Sequence, residues 1–259
     1  MKKLASLALC LALVLCLFSA ATAETFSWDF TTMDEETFNE TFDLIRSTNQ
    51  YGCGDPEPAQ PGDFYLSEYG VATTIHGFVI PKDLPGYNDG DPCTVSVLVW
   101  GCPQSGAAVN IGEDEIGGYG AFQFQFQDDP GWDAGDVLWG YIVNSSSLQG
   151  LCGAVGNETI GYSDNKRDTG LKFRGWFWVK FELLDNGDVR GKVWPEDGDE
   201  PAEWTLEATY AALTDNDELR ERAGVPGAII AHGTAEGTEP DFGNVGGFHG
   251  HLKQMIIEY

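Results

Sequence analysis

Residues 121–127 read AFQFQFQ, so Phe122, Phe124 and Phe126 alternate with Gln123, Gln125 and Gln127. Only an extended strand sorts such a run onto two opposite faces, because successive side chains there point in opposite directions. A helix would scatter the three phenyl rings around its circumference. The same period runs through residues 94–100 (TVSVLVW), where Val95, Val97 and Val99 share a side, and through residues 175–184 (GWFWVKFELL). Further strands are expected at 26–30, 41–47, 71–80, 136–144, 159–162, 189–194, 204–209, 227–232 and 252–259. Turn-forming clusters stand between many of them, GYNDGDP at 86–92, DDPG at 128–131 and DNGD at 185–188. Glycine, proline, asparagine and aspartate each favour a reversal for their own steric or hydrogen-bonding reason. About a dozen short strands punctuated in this way predict an all-β fold, an antiparallel two-sheet sandwich or barrel. One short helix is expected in a connection. Asp215 serves as its N-cap with Glu218 three residues on, Leu219 and Ala223 lie four apart, and Gly224 and Pro226 end it. The proline-bearing stretch 50–62 is the least strand-like and reads as a long loop that Cys53 pins down.

The start of the chain is of another kind. Lys2 and Lys3 precede an apolar run from Leu4 to Phe18, and Ala21-Thr22-Ala23 precedes Glu24. A positive start, a short apolar core and a small-x-small site form a bacterial-type secretory signal peptide, cleaved after Ala23. The run is short for a membrane span, and no second one follows. Residues 1–23 are thus the leader and 24–259 a single secreted domain. Removing Lys2 and Lys3 makes the net charge of −27 two units more negative. A chain that acidic does not hold nucleic acid, or an anionic membrane, by charge. With 42 % hydrophobic residues it is not a disordered polyanion either.

Export bears on the cysteines. Cys53, Cys93, Cys102 and Cys152 remain after cleavage, an even number in an oxidising compartment, which suggests two disulfides. Cys93 and Cys102 flank the strand at 94–100. Nine residues at about 3.3 Å each hold them roughly 30 Å apart, too far to bridge one another. Each is expected to pair with Cys53 or Cys152, and both assignments stand open.

The turn at 185–188 sets a register. Phe177, Val179, Phe181 and Leu183 form an apolar face, and Trp176, Trp178, Lys180 and Glu182 the opposite one. A two-residue Asn186-Gly187 turn would set Phe181 against Lys192 and mix the faces. A three-residue loop with Gly187 in a left-handed bulge position keeps apolar opposite apolar. The outer face then carries Trp176, Trp178 and Trp194 beside Lys180, Lys192, Glu182 and Arg190.

Residues 176–181 (WFWVKF), 191–194 (GKVW) and 200–204 (EPAEW) resemble a signature of bacterial and phage-encoded concanavalin A-like, or laminin-G-like, jelly-roll domains, and 252–259 (LKQMIIEY) looks like their last strand. The resemblance implies a jelly roll of two curved antiparallel sheets. Members include carbohydrate-binding modules, adhesive or structural modules and glycoside hydrolases, so it speaks to fold more than to function.

Three kinds of site follow. The first is a glycan-binding face, because flat indole and phenol rings match the apolar faces of sugars and amides, ammonium groups and carboxylates match their hydroxyl rims. Trp176, Trp178, Trp194, Lys180, Gln123, Gln125, Gln127, Trp139 and Tyr141 are the expected ligand-binding residues, forming one shelf if their strands adjoin. The competing reading has the outward tryptophans covered by loops as a second small core. The second is a carboxylate pair for glycoside hydrolysis. Laminarinase-like members alternate Glu-x-Asp-x-x-Glu on one strand. The only Glu-x-Asp here is Glu239-Pro-Asp241, and Glu113-Asp114-Glu115 reads as a loop tip, so no catalytic residue is assigned. The third is metal. His249 and His251, with His232, are read as surface histidines rather than a zinc site. No cofactor is required. A structural calcium is left open, since the resemblance allows one and 88–91, 185–188 and 215–217 could supply ligands or simply turn. The expected function is secreted, non-catalytic recognition of a polysaccharide or cell-surface glycan. The alternatives are a structural or adhesive module that binds protein, and a divergent glycoside hydrolase.

Overall fold

The computed structural model describes residues 23–47, 56–75, 77–88, 91–100, 105–111, 120–127, 137–144, 166–168, 175–185, 189–208, 223–230 and 250–259. Sixteen strands and one helix lie among them, and the strands form two antiparallel sheets. Sheet 1 runs β14 (Leu206–Ala208), β13 (Val189–Pro195), β12 (Trp176–Leu183), β7 (Cys93–Trp100), β16 (Gly250–Glu258), β5 (Gly70–Thr73), β4 (Phe64–Ser67), with β1 (Thr25–Asp29) also on β16. Sheet 2 runs β11 (Lys166–Asp168), β10 (Val137–Asn144), β9 (Gly120–Gln127), β8 (Ser105–Ile111), β15 (Ala223–Ile230), β6 (Gly77–Pro81), β2 (Phe42–Ser47), β3 (Pro56–Pro58). The all-β sandwich read from the alternation is therefore the fold observed.

The core lies between the sheets. Val95, Val97 and Val99 of β7, Phe177, Val179, Phe181 and Leu183 of β12, and Met255 and Ile257 of β16 meet Phe42 of β2, Val79 of β6 and Ala228 of β15. Along β12 every second residue is buried. Burying a side chain the size of valine or phenylalanine contributes about 1.5–3 kcal/mol, and this repeated gain fixes which side of each strand faces inward.

The sorting of faces expected of the hairpin is the one found. Leu183 pairs with Val189, Phe181 with Gly191, Lys180 with Lys192, Val179 with Val193 and Trp178 with Trp194. The loop at 186–188 lies outside the described residues. The single strand expected at 71–80 is two strands, β5 in sheet 1 and β6 in sheet 2, so the chain passes from one layer to the other between Thr73 and Gly77. Gly70 begins β5 at φ 99°, and a Cβ there would run into the Leu252 carbonyl, so only glycine fits.

Two further segments depart from expectation. The helix among the described residues is α1 (Glu35–Thr41), which was not expected from the sequence. Asp34 caps it by accepting from the Thr37 backbone N–H, and Phe38 is its buried residue. Of the helix expected after Asp215, 215–222 lie outside the described residues, while Ala223 and Gly224 are already in strand β15. Within 50–62, residues 56–58 form an edge strand against β2, the place where prolines cost a sheet least. Arg46 holds that edge, with Nη2 2.5 Å from a Glu57 carboxylate oxygen and Nη1 3.7 Å from Asp63. Cys53 lies outside the described residues.

Cys93 is a free thiol, buried at the start of β7, so the expected disulfide at this cysteine is not formed. Its position explains this, because it belongs to the intersheet core opposite Leu183. The Tyr87 hydroxyl lies 3.7 Å from its sulfur. Burial pushes the thiol up to about 12, outweighing the Tyr87 hydrogen bond that lowers it, and the charges of Asp91 and Glu182 act in the direction of burial. Cys102 and Cys152 lie outside the described residues, as do residues 1–22 and the expected strand at 159–162.

Candidate functional site

The topology first divides the expected shelf. Trp176, Trp178, Lys180 and Trp194 stand on β12 and β13 in sheet 1, whereas Gln123, Gln125, Gln127, Trp139 and Tyr141 stand on β9 and β10 in sheet 2. One continuous surface across all nine residues is therefore not what the fold builds. In sheet 2 the register sets Gln125 opposite Trp139, Gln123 opposite Tyr141 and Gln127 opposite Val137. Phe124 stands in one line with Ala107, Ala228 and Val79, and the last two are core residues. Gln125 stands in line with Gly106, Ile229, Phe78 and Ile45 instead. The side chains of β9 and β10 lie outside what is described.

On sheet 1 the outer face is described atom by atom. Trp178 and Trp194 are cross-strand partners, and their rings stack at 6.2 Å between centroids and 18° between planes. Trp176 meets Trp100 of β7 edge-on, at 5.6 Å and 77°. The next pair along, Lys180 and Lys192, sets two ammonium groups directly opposite each other. Like charges in that relation destabilise a sheet. The segment at 195–205 resolves the conflict by folding back over the hairpin. Glu200 places one carboxylate oxygen 3.1 Å from Lys180 Nζ and 2.6 Å from Lys192 Nζ. Lys192 also donates to the Pro201 carbonyl at 2.8 Å. Burial pushes the Glu200 carboxyl up, but the hydrogen bonds and charges of Lys192 and Lys180 outweigh it, so the group sits below its ordinary range.

The same strap makes three more attachments. Trp204 lies under both cations of β13, with the Arg190 guanidinium carbon 4.4 Å and Lys192 Nζ 4.5 Å from its ring centroid. Arg190 in turn is ion-paired with Glu182. Glu196 reaches Lys253 of β16 at 2.5 Å, and the Lys253 ammonium stands 5.3 Å from the centroid of Trp176.

Exposure then sorts the expected residues. Trp194 is 8 % exposed and Lys192 6 %, while Trp176, Trp178 and Lys180 are half-buried. Trp194 is thus not an open platform as expected. Its ring packs on that of Trp178. Leu98, Ser96 and Trp100 of β7 are buried on the same face. Much of this face is consequently a second, smaller core, and the half-buried Trp176 and Trp178 are what remains open to a ligand. His251, read as a surface histidine, is 1 % exposed and stands 6.5 Å from the rings of both Tyr69 and Trp176. Its place on β16, beside that second core, accounts for the burial.

Sequence reasoning passed over Glu200, Trp204, Lys253 and Trp100 as parts of the site. For Glu200 and Trp204 a signal existed. The expected hairpin already placed Lys180 and Lys192 on one face, two cations that call for an anion, and EPAEW follows six residues after Trp194. No group of three histidine, cysteine, aspartate or glutamate side chains among the described residues is arranged to hold a metal ion. In the turn at 88–91, the Asp91 carboxylate accepts from the backbone and side-chain amides of Asn88, at 3.0 and 2.8 Å. His232 and His249 lie outside the described residues, as do residues 89–90, 186–188 and 215–217, Glu113-Asp114-Glu115 and Glu239-Pro-Asp241.

No protein-family model and no curated protein sequence matches the chain. Solved structures do. The Bacillus licheniformis β-glucanase is similar over 90 % of this chain and 97 % of its own, at 10 % identity and a TM-score of 0.51. A structure described as a native glycosidic hydrolase is similar over 91 % of this chain and 95 % of its own, at 11 % identity and a TM-score of 0.50. At identities this low the likeness shows the fold alone. It is the concanavalin A-like jelly roll.

Proposed function

We propose that this chain is an exported jelly-roll protein that recognises a polysaccharide or glycoconjugate outside the cell. The observation that carries the reading is the outer face of the β12–β13 hairpin. There the half-buried Trp178 is stacked on an immobilised Trp194, one step along the strands from Lys180 and Lys192. A ring held flat and rigid loses little entropy when a sugar ring settles on it. The adjoining ammonium groups suit hydroxyl or carboxylate oxygens. The fold supports the reading, because both structures named above are of carbohydrate-acting enzymes. Export is consistent with β1, which lies wholly after Ala23, while Glu24 and Tyr259 already exchange backbone hydrogen bonds of 2.8 and 3.1 Å. The lines of Gln123, Gln125 and Gln127 with Trp139 and Tyr141 give a second candidate surface on the other sheet.

Hydrolysis is the second reading, and one arrangement favours it. Glu182 and Glu258 both pair with Thr94, from opposite sides. Two strand spacings separate them by about 10 Å, near the span at which a water molecule fits between two carboxyl groups. They border a shallow depression of about 350 Å³ with Asp185 and Tyr259. Glu182, however, is engaged by Arg190.

A glycan array on the mature protein, read with a reducing-end assay on each bound glycan, separates these functions. Recognition expects binding that is lost in Trp178→Ala while the far-ultraviolet spectrum is kept. Hydrolysis expects new reducing ends that vanish in both Glu182→Gln and Glu258→Gln. Capture of no glycan, with a protein partner retained, would leave the adhesive alternative.

A further inference from the structure

We propose that the ligand carries carboxylates, as a chain of uronic acids does, and that Glu200 occupies in the free protein the seat of one such carboxylate. The proposal rests on the carbohydrate reading above and narrows it to a chemical class. Lys180 and Lys192 form a costly pair for a sheet to carry. Lys192 is almost wholly buried, and two well-packed apolar residues there would be at least as stable. Nothing in the β12–β13 pairing itself calls for two cations. They converge on a single oxygen, and that oxygen comes from a loop rather than a strand. Glu200 is also the most open member of the group, its side chain 43 % exposed against 7 % for Lys192. It can leave more readily than the lysines can.

The surroundings match the ligand's other half. Trp178 and Trp194 lie two residues from Lys180 and Lys192 on the same face, roughly 7 Å along the strand. A pyranose stacked on Trp178 would direct an exocyclic carboxylate toward the lysines over about that span. The acidity of the whole chain opposes a polyanion at long range. At physiological ionic strength charges beyond about 8 Å are largely screened, so the groups in contact decide. The strap is then a gate: ligand carboxylate and Glu200 compete for one place, and binding displaces 199–201.

The test uses the mature protein at 150 mM salt and calorimetric titration with two probes, a tetrasaccharide of uronic acid and a neutral glucose tetrasaccharide. The expected result is a clear preference for the uronic acid probe. Glu200→Gln should tighten it by roughly fivefold, by removing a charged competitor, and should move the neutral probe by less. Lys192→Met should abolish the preference. Lys180→Met, at the more open lysine, gives the same reading if Lys192→Met does not fold. Unchanged or weaker uronic acid binding in Glu200→Gln overturns the proposal. So does binding of the neutral probe alone, which would leave the carbohydrate reading standing. Binding of neither probe to either protein overturns both.

Discussion

The two faces of β12 are held by different physics. Its inner residues Phe177, Val179, Phe181 and Leu183 are between 0 and 5 % exposed and depend on non-directional burial. Its outer residues Trp176, Trp178, Lys180 and Glu182 are half-buried, and each is held by named partners: a stacked ring, an edge-on ring, a shared carboxylate and a guanidinium. The inner face could be rebuilt from other apolar residues of similar volume. The outer face could be rebuilt only as a set, because changing one partner alone leaves a charge without its counterion. Specificity accumulates on the outer side for that reason, and stability on the inner one.

The largest effect should come from the inner face. Phe181→Ala removes a fully buried ring and should cost about 3–5 kcal/mol in a urea unfolding titration. A loss below 1 kcal/mol would show that this face is less tightly packed than described.

The outer face should respond less and depend on pH. Glu200→Ala should cost about 1 kcal/mol, since water screens a carboxylate that is 43 % exposed. The folded carboxyl titrates below its ordinary value of 4.5. Its contribution is therefore present above that pH and is lost as the pH falls through the folded value. The gap in melting temperature between the wild type and Glu200→Gln should be full at pH 7 and close progressively below about pH 4.5. A gap that widens in acid would contradict the ion-pair assignment.

Trp178→Ala should cost less than about 2 kcal/mol of stability, as expected of a half-buried ring, yet weaken glycan binding by about tenfold or more. Equal losses of fold and binding would return Trp178 to the second core. The smallest effect concerns Cys93 on the inner side. With its thiol pushed up to about 12, it should resist iodoacetamide at pH 8 in the native protein and react once unfolded, as read by peptide mass spectrometry.

Legibility in the sequence follows the same division. Strand β12 is visible because burial acts on every second residue, and β7 and β9 because their sequences alternate. Strand β8 (SGAAVNI) lacks that alternation and was not anticipated. Strands β5 and β6 merged into one expected segment because both are apolar throughout, which hides the change of sheet. Helix α1 buries only Phe38, so its 3.6-residue period has nothing to display, and the cap at Asp34 was the one available sign. At the candidate site the shared outer face of Trp178 and Trp194 followed from keeping apolar residues opposite one another. The places of Glu200 and Trp204 did not, because they come from a segment that folds back across the hairpin. Such a long-range contact leaves no period behind.

Residues 74–76 carry a consequence for the chain as a whole. Thr73 and Gly77 belong to opposite walls only four positions apart, with Thr73 registered against Gly250 on one side and Gly77 against Ile230 on the other. A residue inserted there would have to be absorbed by one wall or the other, throwing the ladder of β5 or of β6 out of step. Among the described connections this corner is where the protein should tolerate a change in length least, and where the two walls are obliged to find their alignment together.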